Sequence, residues 1–124
     1  MKLFVYENTK AEYKQNASKS ILPILIKENN WGNLTYSSTG KPLIENGYIS
    51  VTHTKNLLLI AFEDFPIGID CEFDRPISKH LIKRLNLDPL NPLKDWCKLE
   101  AWIKLDDNPS HLTETINNDI RFTD

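Results

Sequence analysis

The sequence predicts an α+β protein, in which a small antiparallel sheet packs against helices. Three short apolar segments lie close together at 48–53, 57–62 and 67–72, with only a few polar residues between them. Strands joined by such short connections pair antiparallel, because a parallel crossover needs a dozen or more residues. Two stretches with helical spacing follow at 77–85 and 92–104. Strands followed by helices are typical of this fold class.

The N-terminal part predicts one strand and one long helix. Residues 2–6 have the composition of a short strand, and 10–28 carry an apolar stripe at helical spacing, formed by Ile21, Leu22, Leu25 and Ile26. Pro23 interrupts that stripe, which predicts a kink or two abutting helices. The polar segment 29–42 contains several glycine and proline residues and is expected to be a loop.

The central strands differ in how much of each we expect to be buried. Residues 48–53 alternate apolar and polar side chains, as in a half-buried strand, whereas the continuous apolar run 57–62 indicates a central strand covered on both faces. A tight turn is expected at 54–56 and another at 63–66. In the third strand, 67–72, alternation places Ile67, Ile69 and Cys71 on one face and Gly68, Asp70 and Glu72 on the other.

The C-terminal part predicts two helices and a weakly patterned tail. The helix at 77–85 has Leu81, Ile82 and Leu85 at helical spacing. Asn91 is the expected N-cap of the second helix, with Pro92 at its first position, and this helix runs through Lys104. Residues 105–124 are expected to be loop with one short helix.

Composition limits the classes of function. The chain has 124 residues, 40% of them hydrophobic and 26% charged, with a formal net charge of -2. One compact domain is expected, and binding of nucleic acid through bulk positive charge is disfavoured. The longest apolar run, 57–62, is too short to span a bilayer, so no membrane association is expected. Cys71 and Cys97 are too few for a disulfide framework and lack metal-ligand spacing, which indicates free thiols and a cytoplasmic location.

Two carboxylates form the first candidate site. Asp70 and Glu72 share one face at the end of the predicted third strand. Two like charges this close raise each other's pKa unless a cation lies between them, and hard oxygen ligands of this kind suit Mg²⁺. The pattern alone is weakly specific, since about two such pairs are expected by chance in a chain with seventeen acidic residues.

Two further patterns carry polar chemistry. Trp96, Glu100 and Lys104 follow one another at four-residue intervals and so share one helical stripe, although Glu100 and Lys104 are also compatible with a simple surface ion pair. Gly40-Lys41-Pro42 is not a Walker A loop, but its lysine suits a phosphate. His53 has the parity of the apolar residues on its strand, and both a structural and a functional role remain open.

Taken in order, these patterns resemble a known enzyme family. Gly40-Lys41-Pro42, the strand end Thr52-His53-Thr54, the segment Ile67-Gly68-Ile69-Asp70-Cys71-Glu72 and the helix with Trp96, Glu100, Ala101 and Lys104 are similar to the motifs of the 4′-phosphopantetheinyl transferases, in particular the surfactin-synthetase-activating type. The resemblance covers about residues 40–104. It implies an abbreviated transferase-like fold, with a first-lobe part at about 1–66 and a partial second lobe at about 67–124.

The resemblance also implies a reaction and roles for the matching residues. Members of the family transfer the phosphopantetheine arm of coenzyme A to a serine of an acyl or peptidyl carrier protein. By motif, Asp70, Glu72 and Glu100 are the Mg²⁺ ligands, and Glu100 or a metal-bound water is the base. Lys104 stabilises charge on the phosphates or the leaving group. Lys41 and His53 match the residues that hold the nucleotide phosphates, Lys19 is assigned to the 3′-phosphate, and Trp96 is expected to pack the helix onto the sheet.

The chain departs from the family pattern in two ways. Leu99 stands where the family has a basic residue, with Lys98 one place earlier, and the second lobe is abbreviated. Because coenzyme A normally lies between two lobes, we expect a homo-oligomer that completes the cleft and covers exposed apolar faces. The alternative is a relative that binds coenzyme A or a carrier protein without transfer.

Overall fold

The computed structural model describes residues 1–8, 11–14 and 17–108. These residues form a small α+β fold with an antiparallel sheet, as the sequence predicts. In chain order the elements are β1 (Lys2–Glu7), α1 (Ser18–Asn29), β2 (Leu34–Tyr36), β3 (Pro42–Ile44), β4 (Tyr48–Thr54), β5 (Leu57–Glu63), α2 (Lys79–Arg84) and α3 (Pro92–Asp106).

The main sheet has the strand order β1-β5-β4, with both neighbouring pairs antiparallel. The predicted strands at 2–6, 48–53 and 57–62 are therefore confirmed, and the continuous apolar run of β5 is central. A two-residue turn joins β4 to β5, with Lys55 in the left-handed region at φ 45°. Ile60 lies opposite Phe4 on one side and Val51 on the other, so apolar side chains from the three strands share one face.

That face packs against α1 and forms the first core cluster. Its buried members are Leu22, Leu25, Trp31, Ile49 and Ile60. The indole of Trp31 stacks on the ring of Phe62, with 5.0 Å between ring centroids. Burial of these large apolar side chains is the main driving force that holds the helix on the sheet.

The helix α1 is shorter than predicted and continuous through its proline. The predicted start at Lys10 is wrong for residues 11–14, because the Tyr13 N–H donates to the Lys55 carbonyl and Asn56 donates to the Ala11 carbonyl. These bonds tie the segment to the β4–β5 turn. The prediction of two abutting helices at Pro23 is also wrong, since Leu22 and Leu25 are buried on either side of it and hold one helix against the sheet.

The segment predicted as a loop at 29–42 contains a strand. β2 pairs antiparallel with β3, and Leu34 lies opposite Ile44. The turn between them is closed by the Ser37 N–H, which donates to the Lys41 carbonyl, and by the Gly40 N–H, which donates to the Ser37 carbonyl. Partial burial of Leu34 and Ile44 against the first core stabilises this short hairpin.

The third predicted strand, 67–72, is not a strand. The N–H groups of Ile69, Cys71 and Phe73 donate instead to the hydroxyls of Ser50, Thr52 and Thr54 at 3.0, 3.1 and 3.2 Å. Each donor lies 19 residues beyond its acceptor, so the segment runs in the direction of β4. Ser50, Thr52 and Thr54 face away from α1, because alternate residues of a strand point to opposite faces. We call residues 67–73 the crossing segment, because the chain passes along it from the sheet to the helices α2 and α3, and side-chain hydroxyls hold it beside β4 in place of a backbone ladder.

The helices α2 and α3 form a second core cluster, whose buried members are Ile77, Leu85, Leu87 and Leu99. Trp96 and Trp102 pack at its margin. The α2 helix is shorter than the predicted 77–85, since Ser78 caps it by accepting from the Leu81 N–H. Asn91 and Pro92 begin α3 as predicted, but the Asn91 side chain makes no capping hydrogen bond.

The predicted boundaries of the C-terminal part change in one further place. The α3 helix continues two residues past Lys104, so Leu105 and Asp106 are helical and not loop. Asp107 follows as the C-cap in the left-handed conformation. The remainder of the predicted tail, 109–124, lies outside the described residues. Among the helices in the described ranges, none is long and apolar enough to cross a membrane.

Candidate functional site

The backbones of the crossing segment and α3 pack directly against each other at Gly68. A Cβ on this residue would lie 2.0 Å from the Ala101 carbonyl oxygen and 2.6 Å from the Leu105 nitrogen. Real contacts are never this short, so only glycine permits the two backbones to pack here. This packing positions Asp70, two residues further along the segment, beside the last turns of α3.

Asp70 is the centre of the site. Its side chain is 6% exposed, and its Oδ1 accepts from Lys104 Nζ at 3.0 Å and from Thr52 Oγ1 at 3.2 Å. The second carboxylate oxygen, Oδ2, is buried and has no hydrogen-bond partner among the described residues. A buried charged oxygen without a partner is unfavourable, and such atoms in native structures often mark a ligand or ion site.

Glu100 lies on α3 one turn before Lys104 and shares the electrostatic environment of Asp70. Burial, followed by the negative charges of Asp70 and Glu72, raises the pKa of Glu100 despite the nearby Lys104 ammonium. Burial also raises the pKa of Asp70, against the opposing effect of Lys104. The structure therefore brings Asp70 of the crossing segment into one electrostatic environment with Glu100 and Lys104 of α3.

Glu72 is held by two donors. Trp96 Nε1 donates to Glu72 Oε1 at 3.1 Å, and Arg75 Nη2 lies 3.5 Å from Glu72 Oε2. Trp96 packs at the margin of the second core, between α2 and α3, and not onto the sheet as expected, and its indole also orients this acid. Arg75 was not singled out in the sequence.

The carboxylates suit a divalent ion in their chemistry. Within residues 1–8, 11–14 and 17–108, no three His, Cys, Asp or Glu side chains converge as a ready-made metal cage. Magnesium rarely uses such a cage, since it keeps several waters and takes one or two carboxylates together with substrate phosphates. Asp70 Oδ2 is a buried hard oxygen without a hydrogen-bond partner among the described residues, and the charges of Glu100 and Glu72 act on the same environment. The donor set therefore fits Mg²⁺ bound together with a phosphate ligand.

Lys41 lies at the C-terminal end of α3. Its Nζ donates to the carbonyl of Lys104 and, at 3.1 Å, to the carbonyl of Leu105. These are among the carbonyls that a helix end leaves without intrahelical partners, and a cation there is favoured by the helix dipole. Burial lowers the pKa of Lys41. Nearby, Thr39 donates to Asp107, so the β2–β3 turn is attached to α3.

A cavity of about 240 Å³ opens between this turn, β4 and α3. Its lining includes both Lys41 and Lys104, and it is completed by Thr39, Gly40, Pro42, Ser50, Val51, Ile103 and Asp107. Two lysines beside a small, mainly apolar space suit an anionic ligand that also has an apolar or aromatic part.

The other two predicted phosphate-binding residues lie elsewhere. His53 shares its parity with Ile49 and Val51, so its side chain is on the α1 face of β4, opposite the face that carries Thr52. Lys19 lies in α1, and its Nζ is 5.5 Å from the centroid of the Tyr36 ring. Because successive residues of a strand point to opposite faces, His53 and Thr52 lie on different sides of the sheet, although they are neighbours in the motif.

Besides Arg75, two residues that contact the site were not predicted from the sequence. Thr52 is 3% exposed and binds Asp70 directly. Its alternation with Ser50 and Thr54, three hydroxyls on one face of a strand, is the signal that was available. Cys97 on α3 is the second, because burial and the charges of Asp70 and Glu72 raise its pKa to about 11. Its thiol is therefore protonated at neutral pH and not a nucleophile.

Comparison with known proteins adds no assignment. No model of a protein family matches the chain, and no curated protein matches it significantly.

Proposed function

We propose that this chain transfers the 4′-phosphopantetheine arm of coenzyme A to a serine of an acyl or peptidyl carrier protein, in a Mg²⁺-dependent reaction. The observation that carries the proposal is the convergence of Asp70, Glu100 and Lys104, with Asp70 Oδ2 left without a partner. These residues match the family motif by position, and their mutual approach was not required by the motif itself.

In the proposed reaction, Mg²⁺ would be held by Asp70 through Oδ2 together with the diphosphate of coenzyme A, and the motif proposes Glu100 and Glu72 as the further carboxylates of the site. When bound, the ion neutralises charge on the phosphates as the anhydride bond breaks. The serine oxygen forms a bond to the pantetheine-side phosphorus, the bond to the bridging oxygen breaks, and adenosine 3′,5′-bisphosphate leaves with the electron pair.

Glu100 is the proposed base for the serine proton. A carboxylate is a better proton acceptor near neutral pH when its pKa is raised, and burial and Asp70 both raise the pKa of Glu100. Lys104 is the proposed group that stabilises negative charge on the phosphates, and its contact with Asp70 and its position in the cavity lining support this role.

Coenzyme A would enter at the cavity that carries Lys41 and Lys104. At about 240 Å³ this cavity is smaller than the roughly 300–1,000 Å³ of typical ligand pockets. It would hold only part of the molecule. In support of a second copy completing the cleft, Leu3, Val5 and Leu57 lie on the sheet face that bears the crossing segment and are 46%, 57% and 38% exposed. Exposed apolar patches of this kind are typical of association surfaces.

A second candidate is a relative that binds coenzyme A or a carrier protein without transfer. Lys41 favours it, because its ammonium is already used by two carbonyls of α3. The contacts of Trp96 and Arg75 with Glu72 also favour it, since they compete with metal binding.

The two candidates are separated by intact-mass spectrometry. Several apo carrier proteins, incubated with the chain, coenzyme A and Mg²⁺, should gain the mass of one phosphopantetheine. Asp70→Asn should abolish the gain, whereas Lys79→Ala, an exposed position on α2, should leave it unchanged. No gain with any carrier rejects the transferase. Thermal stabilisation by coenzyme A without transfer identifies the binding relative.

A further inference from the structure

The crossing segment is held by three hydroxyls that are not equivalent. Ser50, Thr52 and Thr54 each accept one backbone N–H from the segment. Only Thr52 also donates, and its acceptor is Asp70 Oδ1 at 3.2 Å. A hydroxyl has one donor and two acceptor lone pairs, so Thr52 makes both bonds at once.

The bond from Thr52 determines which oxygen of Asp70 is available. Thr52 and Lys104 both donate to Oδ1 of this carboxylate, and the Cys97 thiol makes a further hydrogen bond to Asp70. Oδ2 remains buried without a partner. Thr52 is 3% exposed and belongs to β4 of the main sheet, so its hydroxyl has a fixed position. The hydroxyl can therefore orient the Asp70 carboxylate, which lies on a segment without regular secondary structure.

We propose that Thr52 is a positioning residue, which orients Asp70 so that Oδ2 is presented to a divalent cation. The effect of Thr52 on turnover rests on the proposed function, whereas its effect on the affinity for a divalent cation can be measured without turnover. Residues that orient metal ligands by hydrogen bonding typically change metal affinity 10- to 100-fold when they are removed.

The test uses variants of the full chain that separate the bond from Thr52 to Asp70 from the bonds that hold the crossing segment. Thr52→Val keeps the shape of the side chain and removes the bond to Asp70 together with the bonds from the Cys71 N–H and thiol, whereas Thr52→Ser keeps the hydroxyl. Ser50→Ala and Thr54→Val are the matched controls, because each removes an acceptor for the crossing segment without removing a contact to Asp70. Ser50 is the closer control in burial, at 2% exposed.

The readout is the affinity for Mn²⁺ in the presence of coenzyme A, measured by electron paramagnetic resonance. Thr52→Val should weaken Mn²⁺ binding by roughly 10-fold or more, while Ser50→Ala, Thr54→Val and Thr52→Ser stay within about threefold of the parent. In turnover assays, the Mg²⁺ concentration for half-maximal rate should rise in Thr52→Val by the same factor. If Thr52→Val does not fold, Thr52→Ala is measured in its place.

Equal Mn²⁺ affinity in Thr52→Val and the two controls overturns the inference, as does the absence of Mn²⁺ binding to the parent chain. Failure of the proposed function is distinguishable from both outcomes. A parent chain that binds Mn²⁺, loses that binding selectively in Thr52→Val and modifies no carrier protein rejects the transferase and retains the positioning role.

Discussion

The sheet and the crossing segment are two extended regions held in place by different means. The strands β1, β5 and β4 are joined by regular backbone ladders in a continuous register. The crossing segment runs beside them with the same apolar alternation in its sequence, but its N–H groups bind side-chain hydroxyls. Two of the three carboxylates of the candidate site, Asp70 and Glu72, therefore lie on the region with fewer backbone constraints. Single side chains, and one glycine, decide where those carboxylates are.

The largest expected effect tests whether the stability of the sheet depends on the second core, formed by α2 and α3. Leu99→Ala should lower the free energy of unfolding by about 3 kcal/mol, because Leu99 is fully buried in the second core. Urea denaturation measures this loss, and hydrogen exchange locates it. Amide protection should fall in α2 and α3 and persist in β4 and β5.

Leu58→Ala is the matched change in the sheet, since Leu58 is equally buried. It should cost a similar amount but remove protection from β4 and β5, on which the crossing segment rests. If Leu99→Ala lowers amide protection in the helices and in the sheet alike, the molecule unfolds as one unit and the sheet has no stability independent of α2 and α3.

The next effect concerns the contact between the crossing segment and α3. Gly68→Ala should destabilise the protein by roughly 3 kcal/mol, because its Cβ would overlap backbone atoms that have no rotamer to change. The same change should weaken coenzyme A binding by displacing Asp70. Thermal unfolding and calorimetry measure the two effects.

Gly40→Ala is the control for backbone strain without overlap. Gly40 has φ +93°, and a Cβ there meets nothing within 4 Å. The expected cost is only about 1–2 kcal/mol, from the left-handed backbone. Equal losses in the two variants would contradict the close packing at Gly68.

The smallest expected effect is a change in pH dependence. Because burial and Asp70 raise the pKa of Glu100, the folded state binds this proton more tightly than the unfolded state. The stabilisation that this proton contributes is fully present below the ordinary pKa of glutamate, and it is lost as pH rises through the higher pKa that Glu100 has in the folded state. Glu100→Gln should therefore stabilise the protein at pH 7 by less than about 1 kcal/mol, and not at pH 3.

Asp107→Asn provides a control of opposite sign. Hydrogen bonds from Ser37 and Thr39 lower the pKa of Asp107. The stabilisation that the Asp107 carboxylate contributes to the folded state is therefore present at neutral pH and lost in acid. Urea denaturation at pH 3, 5 and 7 compares the variants. A neutral-pH loss of stability in Glu100→Gln would show that its charged form is well compensated in the folded state.

Much of the regular structure was predictable from local pattern. The central position of β5 follows from the continuous apolar run at 57–62, and the start of α3 follows from Asn91 and Pro92. The β2–β3 hairpin was missed, because two three-residue strands carry too little periodicity to separate them from a loop. The start of α1 was missed because contacts of residues 11–14 with the β4–β5 turn override helix propensity.

The candidate site was predictable in its residue types but not in its assembly. Asp70, Glu72, Glu100 and Lys104 were identified from spacing along two predicted elements. Their approach depends on Gly68, whose role is the absence of a side chain, and on Thr52, which comes from a different strand. Neither contact is local in the chain, so no periodicity within one segment reveals it.

The sequence by itself determined the three strands of the main sheet, the existence of the three helices and the buried face of the sheet, because these follow from the spacing of apolar residues along one segment. Only the tertiary structure decided that residues 67–73 follow β4 through its side-chain hydroxyls and do not join the sheet as a further strand. That choice depends on hydroxyls of β4 and on the backbone of α3, which meet the segment through contacts between residues distant in the chain.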